Sequence, residues 1–137
     1  MKRNPTGIEV VAIALIDRAG GILLQQRRAD RQHGGLWEFP GGKVEAGETA
    51  LSALIREIDE ELGIAVQADR LFWLADAADP DGRLVISLYT CCEWTGEPRC
   101  LDAAAIGWFA AHEMHALPMP PLDIPLAAAL EEWLREQ

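Results

Sequence analysis

The chain has little positive charge to offer a polyanion. Twelve lysines and arginines face 22 aspartates and glutamates, a formal net charge of -10 over 137 residues. That balance excludes sequence-independent binding to DNA or RNA, which needs a basic surface. It leaves open a small polyanion held through a metal ion. Cysteine is scarce as well, with only Cys91, Cys92 and Cys100. An odd number with two adjacent is no disulfide framework, and neither a C-x-x-C pair nor Cys/His metal spacing occurs. The thiols read as small core residues in a reducing, cytoplasmic setting. Long apolar runs are missing too, so nothing spans a membrane. The run 10–16 behind the basic start MKRN is short, sits between Glu9 and Asp17 and has no clear cleavage site, so it reads as a buried strand rather than a signal segment. No repeat, low-complexity segment or linker divides the chain, and residues 1–137 read as one domain.

What is present is an ordinary globular composition, half hydrophobic and a quarter charged. Residues 8–16 and 22–28 read as strands joined by the turn RAGG, a hairpin. The segment LWEFPGGKVEAGE, broken by Pro40 and three glycines, reads as a short strand running into a structured loop. Residues 49–62 carry Leu51, Leu54, Ile55, Ile58 and Leu62 at helical spacing, with Thr49 as N-cap and Gly63 at the C-terminal cap. Two strands at 71–77 and 83–94 flank the turn DPDG, a further short strand follows at 106–110, and 111–117 reads as a helical turn. Beyond a rigid stretch with Pro118, Pro120 and Pro121, the terminal helix 123–137 puts Leu126, Leu130, Trp133 and Leu134 on one face. Strands mixed with two helices give an α/β or α+β sandwich. The five tryptophans are expected mostly in the core, and His33, His112 and His115 on loops or the surface.

The stretch REIDEELGI, residues 56–64, concentrates four carboxylates in a chain that is already acidic. Glu57 and Glu61 lie one turn apart, a like-charge spacing that costs roughly 0.2–0.5 kcal/mol. At about 100° per residue, Glu57, Glu60 and Glu61 share a stripe of about 100° beside the apolar face, while Asp59 points elsewhere. Carboxylates at i, i+3 and i+4 offer a hard cation such as Mg²⁺ oxygen ligands from one rigid element, and the bound ion relieves the repulsion. The preceding PGGKVEAGE supplies glycines that allow close backbone approach, and Lys43 is placed to meet a phosphate. It is not a Walker A loop.

Residues 42–64, GKVEAGETALSALIREIDEELGI, match G-x5-E-x7-R-E-U-x-E-E-x-G-U, with U aliphatic, at every specified position. This pattern resembles the Nudix box. LLQQRR and LWEFPGGK upstream, WTGEP in the late strand region and PLDIPLAAAL near the end extend the resemblance, over nearly the whole chain, to the MutT-type branch. That branch includes 8-oxo-dGTP diphosphatases and a relative acting on CTP and modified pyrimidine nucleotides. The resemblance implies a Nudix α/β/α sandwich with a mixed sheet and the box as loop–helix–loop. It implies hydrolysis of a nucleoside triphosphate to monophosphate and pyrophosphate. By motif position, Glu57, Glu60 and Glu61 would hold Mg²⁺ or Mn²⁺, helped by the Gly41 carbonyl, with Glu48 and Arg56 orienting the site. Counting from Trp94 to Trp108, Asp102 matches a fourth acidic ligand, as Asp where MutT has Glu. Metal ions stabilise charge on the phosphate oxygens and acidify a water, whose proton a carboxylate accepts. Glu57 is the first choice of base, with Glu61 and Asp102 open.

Arg27, Phe39 and Asp123 match MutT positions near the nucleotide. Asp123 stands where MutT has Asn, and an ionised Asp accepts hydrogen bonds without donating. The CTP-active relative carries DIPL here, as this chain does, so Asp123 is a candidate reader of the base. Placed before IPLAAAL it also reads as a helix N-cap. The expected partner is a nucleoside triphosphate, 8-oxo-dGTP first and CTP or a modified pyrimidine nucleotide second, with no nucleic-acid polymer or membrane. Monomer and homodimer are both open. ADP-ribose or dinucleoside polyphosphates, and a non-catalytic nucleotide sensor, stand further off: DPDG explains Pro80 as a turn residue, and a sensor need not retain the glutamates.

Overall fold

The computed structural model describes residues 7–137, so the basic start at 1–6 lies outside the described residues. The fold is organised around β1 (Ile8–Leu15), buried on both faces. Its Val11, Ile13 and Leu15 join one core cluster while Ala12 and Ala14 join the other. Successive strand residues point to opposite sides, so one apolar run serves two cores. Helix α1 (Ala50–Leu62) covers the first with Leu54, Ile58 and Leu62, and helix α2 (Asp123–Arg135) covers the second with Leu126 and Leu130. The result is an α/β/α sandwich.

The central sheet is mixed. Its order is β4 (Gly41–Lys43), β1, β6 (Leu84–Cys91), β5 (Phe72–Ala78), with β1 and β6 parallel and the outer pairs antiparallel. A second, antiparallel sheet runs β3 (Trp37–Glu38), β2 (Ile22–Gln26), β7 (Ala105–Phe109). The expected β1–β2 hairpin does not form. Asp17 holds the tight turn by accepting from the Ala19 and Gly21 amides, but only the single bridge Ile16–Ile22 follows it. Both edges of β1 are already taken by β4 and β6, so β2 leaves for the other sheet. The segment expected as one short strand likewise splits, with β3 pairing in one sheet and β4 in the other.

α1 begins and ends where its sequence signals lie. Thr49 accepts from the Ser52 amide while Ser52 Oγ accepts from the Thr49 amide, a reciprocal cap. Gly63 closes the helix with φ 69°, a conformation that favours glycine. α2 departs from expectation: its N-cap is Leu122 without a side-chain bond, and Asp123 is the first helical residue. The tryptophans also differ, for none is fully buried, Trp73 is 60% exposed and Trp108 40%. Of the cysteines only Cys91 is in the core, while Cys92 and Cys100 are exposed. Among the described residues no helix is long and apolar enough to cross a membrane.

Candidate active site

A cleft of about 340 Å³ opens where β1, β2, β4 and α1 meet the segment around Asp102. It gathers Gly41, Lys43, Glu57, Glu61, Asp102, Arg27, Phe39 and Asp123, eight of the residues singled out by sequence. Glu48, Arg56 and Glu60 are not among its lining residues and stand behind it.

Arg56 organises that rear layer. Its guanidinium makes a forked pair with Glu48 at 2.7 and 2.9 Å, and donates to Glu57 at 2.8 Å and to the Lys43 carbonyl at 3.2 Å. Glu60 is reached more weakly at 3.3 Å. One planar cation therefore ties the loop after β4 to α1, a task suited to the fork of arginine. The Arg56 guanidinium and the Glu45 amide hold the Glu48 carboxyl down to about 2, and Arg56 itself is shifted upward, first by Glu48 and then by Glu57.

The cleft side of α1 is different. Glu61 was expected on a stripe beside the buried face, but it is only 6% exposed. Arg56 is not among its partners; Glu61 Oε1 accepts from Gln25 Nε2 at 2.6 Å. Burial pushes the Glu61 carboxyl strongly upward, and a hydrogen bond with the Glu57 carboxyl adds to the rise. Glu57 is brought close by glycine. A Cβ on Gly42 would lie 2.0 Å from Glu57 Oε2, and one on Gly41 would lie 2.0 Å from the Val11 carbonyl oxygen. Both side-chain-free positions let β4 lie flat between β1 and the acid helix.

Asp102 arrives by a tethered loop. The Arg99 amide donates to Leu62 O and the Leu101 amide to Glu61 O, while the Ala104 amide donates to Gln26 O. Trp94 and Trp108, stacked 6.0 Å apart, pin the two ends. Asp102 itself is half exposed and pairs with Arg31 at 3.7 Å.

At the other end of the cleft, Asp123 Oδ2 accepts from the Phe39 amide at 3.1 Å, across 84 residues of sequence. The carboxylate thus fastens α2 to the strand region instead of capping its own helix. Burial raises the Asp123 carboxyl to about 7, against the Phe39 hydrogen bond. Arg27 is partly committed, with Nε donating to Gln32 O and Nη1 to Glu38 Oε1 at 2.9 Å. Glu38 is raised by burial, opposed by Arg27 and Gln25.

Sequence reasoning did not single out Gln25, Glu38, Arg28 or Arg31, all of which line the cleft. Gln25 carried a readable signal: it is a polar residue continuing the buried run Ile22, Leu23, Leu24. The other three carry no pattern of their own: Arg28 and Arg31 depend on how the loop 27–36 folds back, and Glu38 on the pairing of β3 with β2.

As placed, no three Asp, Glu, His or Cys side chains among the described residues converge closely enough to hold a metal ion. Arg56 occupies Glu57 and Glu60, and Gln25 occupies Glu61. The donors nevertheless suit a hard divalent cation. Glu57 and Glu61 form a poorly solvated, hydrogen-bonded carboxyl pair that resists carrying two charges unless a cation sits beside it, and their oxygens are the type Mg²⁺ prefers.

An α/β/α sandwich that brings an acidic helix, a glycine strand and Lys43, Arg28 and Arg31 to one cleft has the build of a hydrolase of phosphoanhydrides. The chain matches the NUDIX domain over residues 5–132 and belongs to that family. It is 39% identical over 123 residues to the CTP pyrophosphohydrolase of Escherichia coli (strain K12), covering 89% of this chain and 90% of the relative. It is 32% identical over 122 residues to the 8-oxo-dGTP diphosphatase of the same strain, covering 88% and 95%. A solved MutT structure, from work on Aliivibrio salmonicida and Vibrio cholerae, superposes with a TM-score of 0.81 at 27% identity, covering 92% and 98%.

Proposed function

We propose that the protein hydrolyses nucleoside triphosphates, oxidised or otherwise modified ones included, to nucleoside monophosphate and pyrophosphate, with 8-oxo-dGTP the first substrate. The observation that carries this reading is the pairing, in one cleft, of two α1 carboxyls, half-buried Glu57 and buried Glu61, with three basic side chains, Lys43, Arg28 and Arg31. A triphosphate needs both: cations for its oxygens and carboxylates for the metal that accompanies it.

Glu57 and Glu61 would hold the divalent ion, Mg²⁺ or Mn²⁺, with Glu60, Asp102 and the Gly41 carbonyl as further ligands. When bound, it supplies charge stabilisation on the phosphate oxygens and lowers the pKa of an attacking water. Arg56 keeps Glu57 aimed into the cleft through its bond to that carboxylate, and Glu48 fixes Arg56 in turn. Glu57 would accept the proton of the water as general base, its half-buried carboxylate held in place by Arg56. Lys43, Arg28 and Arg31 bind phosphate oxygens. Phe39 and Asp123 face the base, and Arg27 steadies that end through Glu38.

A second reading, a CTP or modified-pyrimidine pyrophosphohydrolase, is favoured by Asp123. A buried carboxylate in the cleft, ionised, accepts from a cytosine amino group as well as from guanine N–H groups. Pyrophosphate release with Mg²⁺ from 8-oxo-dGTP, dGTP, CTP and 5-methyl-dCTP, with ADP-ribose as control, separates the readings by the order of kcat/KM. Preference for ADP-ribose would remove both.

A further inference from the structure

Gln25 is the polar residue at the floor of the cleft that the reaction has not yet used. It is 5% exposed, sits on β2 opposite Glu38 on β3, and reaches α1 across 36 residues of sequence. Its Nε2 donates to Glu61 Oε1 at 2.6 Å, and a Gln25 hydrogen bond also steadies Glu38. Its Oε1 is buried and accepts from nothing among the described residues. Gln25 thus spends its donor on Glu61 and leaves its buried acceptor unsatisfied, a cost that the 2.6 Å bond to Glu61 offsets.

The contrast with Arg56 gives this arrangement its meaning. Arg56 pairs its carboxylates with a full positive charge. Gln25 holds Glu61 by a neutral hydrogen bond, and so brings to the cleft no positive charge that would compete with a cation. Hydrogen bonds that orient a ligating carboxylate in this way are worth about ten- to hundredfold in metal affinity.

We infer that Gln25 is the positioning residue for Glu61, holding that carboxyl in a fixed orientation toward a divalent cation through a neutral hydrogen bond. This rests on the reading of Glu61 as a metal ligand. The direct test is Mn²⁺ binding to the free protein, followed by the electron paramagnetic resonance signal of unbound Mn²⁺, in wild type, Gln25→Met, Glu61→Gln and the double variant. Met matches the length of Gln but cannot donate. Gln25→Met is expected to weaken Mn²⁺ binding about tenfold or more, and to raise the Mg²⁺ concentration giving half-maximal rate by the same factor. In the Glu61→Gln background the Gln25→Met change is expected to add less than about twofold, because coupled residues are not additive.

A Gln25→Met protein that binds Mn²⁺ within about twofold of wild type, while Glu61→Gln binds weakly, overturns the inference and leaves the metal-site reading standing. So does a Gln25→Met loss that persists undiminished in the double variant, which marks a packing effect. Wild-type binding by Glu61→Gln removes the metal-site reading, and the inference with it. Should Gln25→Met fail to fold, Gln25→Asn carries the same comparison, since its shorter amide draws back from Glu61.

Discussion

The two sides of α1 treat like chemistry in opposite ways. Behind the cleft, Glu48 shares a bidentate bond with Arg56, and its carboxyl is held down to about 2. Inside the cleft, Glu61 and Asp123 are buried against neutral donors, Gln25 and the Phe39 amide, and both carboxyls are driven upward. The rear carboxylate is compensated by a cation of the fold; Glu61 and Asp123 are given only neutral donors. A helix that carried only solvated acids would not need that division. Arg56, the one cation of REIDEELGI, braces the loop after β4 against α1 and reaches the cleft only through Glu57.

Glu57→Gln breaks the comparison most severely, because Glu57 belongs to both sides, bonded to Arg56 and to Glu61. Steady-state kinetics should show kcat falling by at least about a hundredfold, the scale of a metal-binding or general-base group. Equal activity would sink the assignment of the site. Gly42→Ala comes next. Its methyl would collide with the Glu57 carboxylate, the mobile end of a side chain, so Glu57 is displaced and the fold largely spared. Activity is expected to fall about tenfold or more, since small misplacements are costly in catalysis, with a thermal midpoint close to that of wild type.

Arg56→Lys sharpens the rear half of the comparison. An ammonium cannot reproduce the fork to Glu48 while reaching Glu57 and Lys43 O. A drop in kcat of about tenfold is expected, with lower thermal stability that conservative charge does not rescue. Asp123→Asn probes the cleft through pH. The Asp123 carboxyl, about 7 in the folded chain, lies above its ordinary value of 3.8, so the folded state binds the proton more tightly. Stability contributed by the protonated form is full below pH 4 and lost as pH rises through 7. Thermal melts should therefore show wild type losing stability relative to Asp123→Asn between pH 4 and 7, then a constant difference above 7; a flat difference throughout contradicts the buried carboxyl. The smallest effect belongs to Arg31→Ala. Its pair with Asp102 is about half exposed on both sides, and such pairs contribute about 0–1 kcal/mol, so the melting temperature should barely move.

The same division governs what the sequence disclosed. α1, its caps and the sandwich were legible because each rests on local chemistry: Thr49, Gly63 and the spacing of Leu54, Ile58 and Leu62. Glu57, Glu61 and Arg56 were legible through the fixed spacing of one motif on one helix. The burial of Glu61 was not, because it depends on β2 arriving from a different sheet with Gln25. The hairpin reading failed for a related reason: pairing depends on which edges of β1 are free, and β4 and β6 had taken them. Asp123 was picked out as a residue of interest, yet its partner lies 84 residues away at Phe39, beyond the reach of any capping rule. The basic rim from Arg28 and Arg31 belongs to a loop whose path is set by tertiary contacts.

The central claim is that the acids of the cleft serve metal-dependent cleavage of a nucleoside triphosphate between its first and second phosphates. Phosphorus magnetic resonance of 8-oxo-dGTP and CTP incubated with the protein, with Mg²⁺ and again with excess chelator, tests it in one spectrum each. The account predicts nucleoside monophosphate and pyrophosphate as the sole products, formed with Mg²⁺ and absent with chelator. Release of orthophosphate with nucleoside diphosphate, or equal turnover in the presence of chelator, would contradict it.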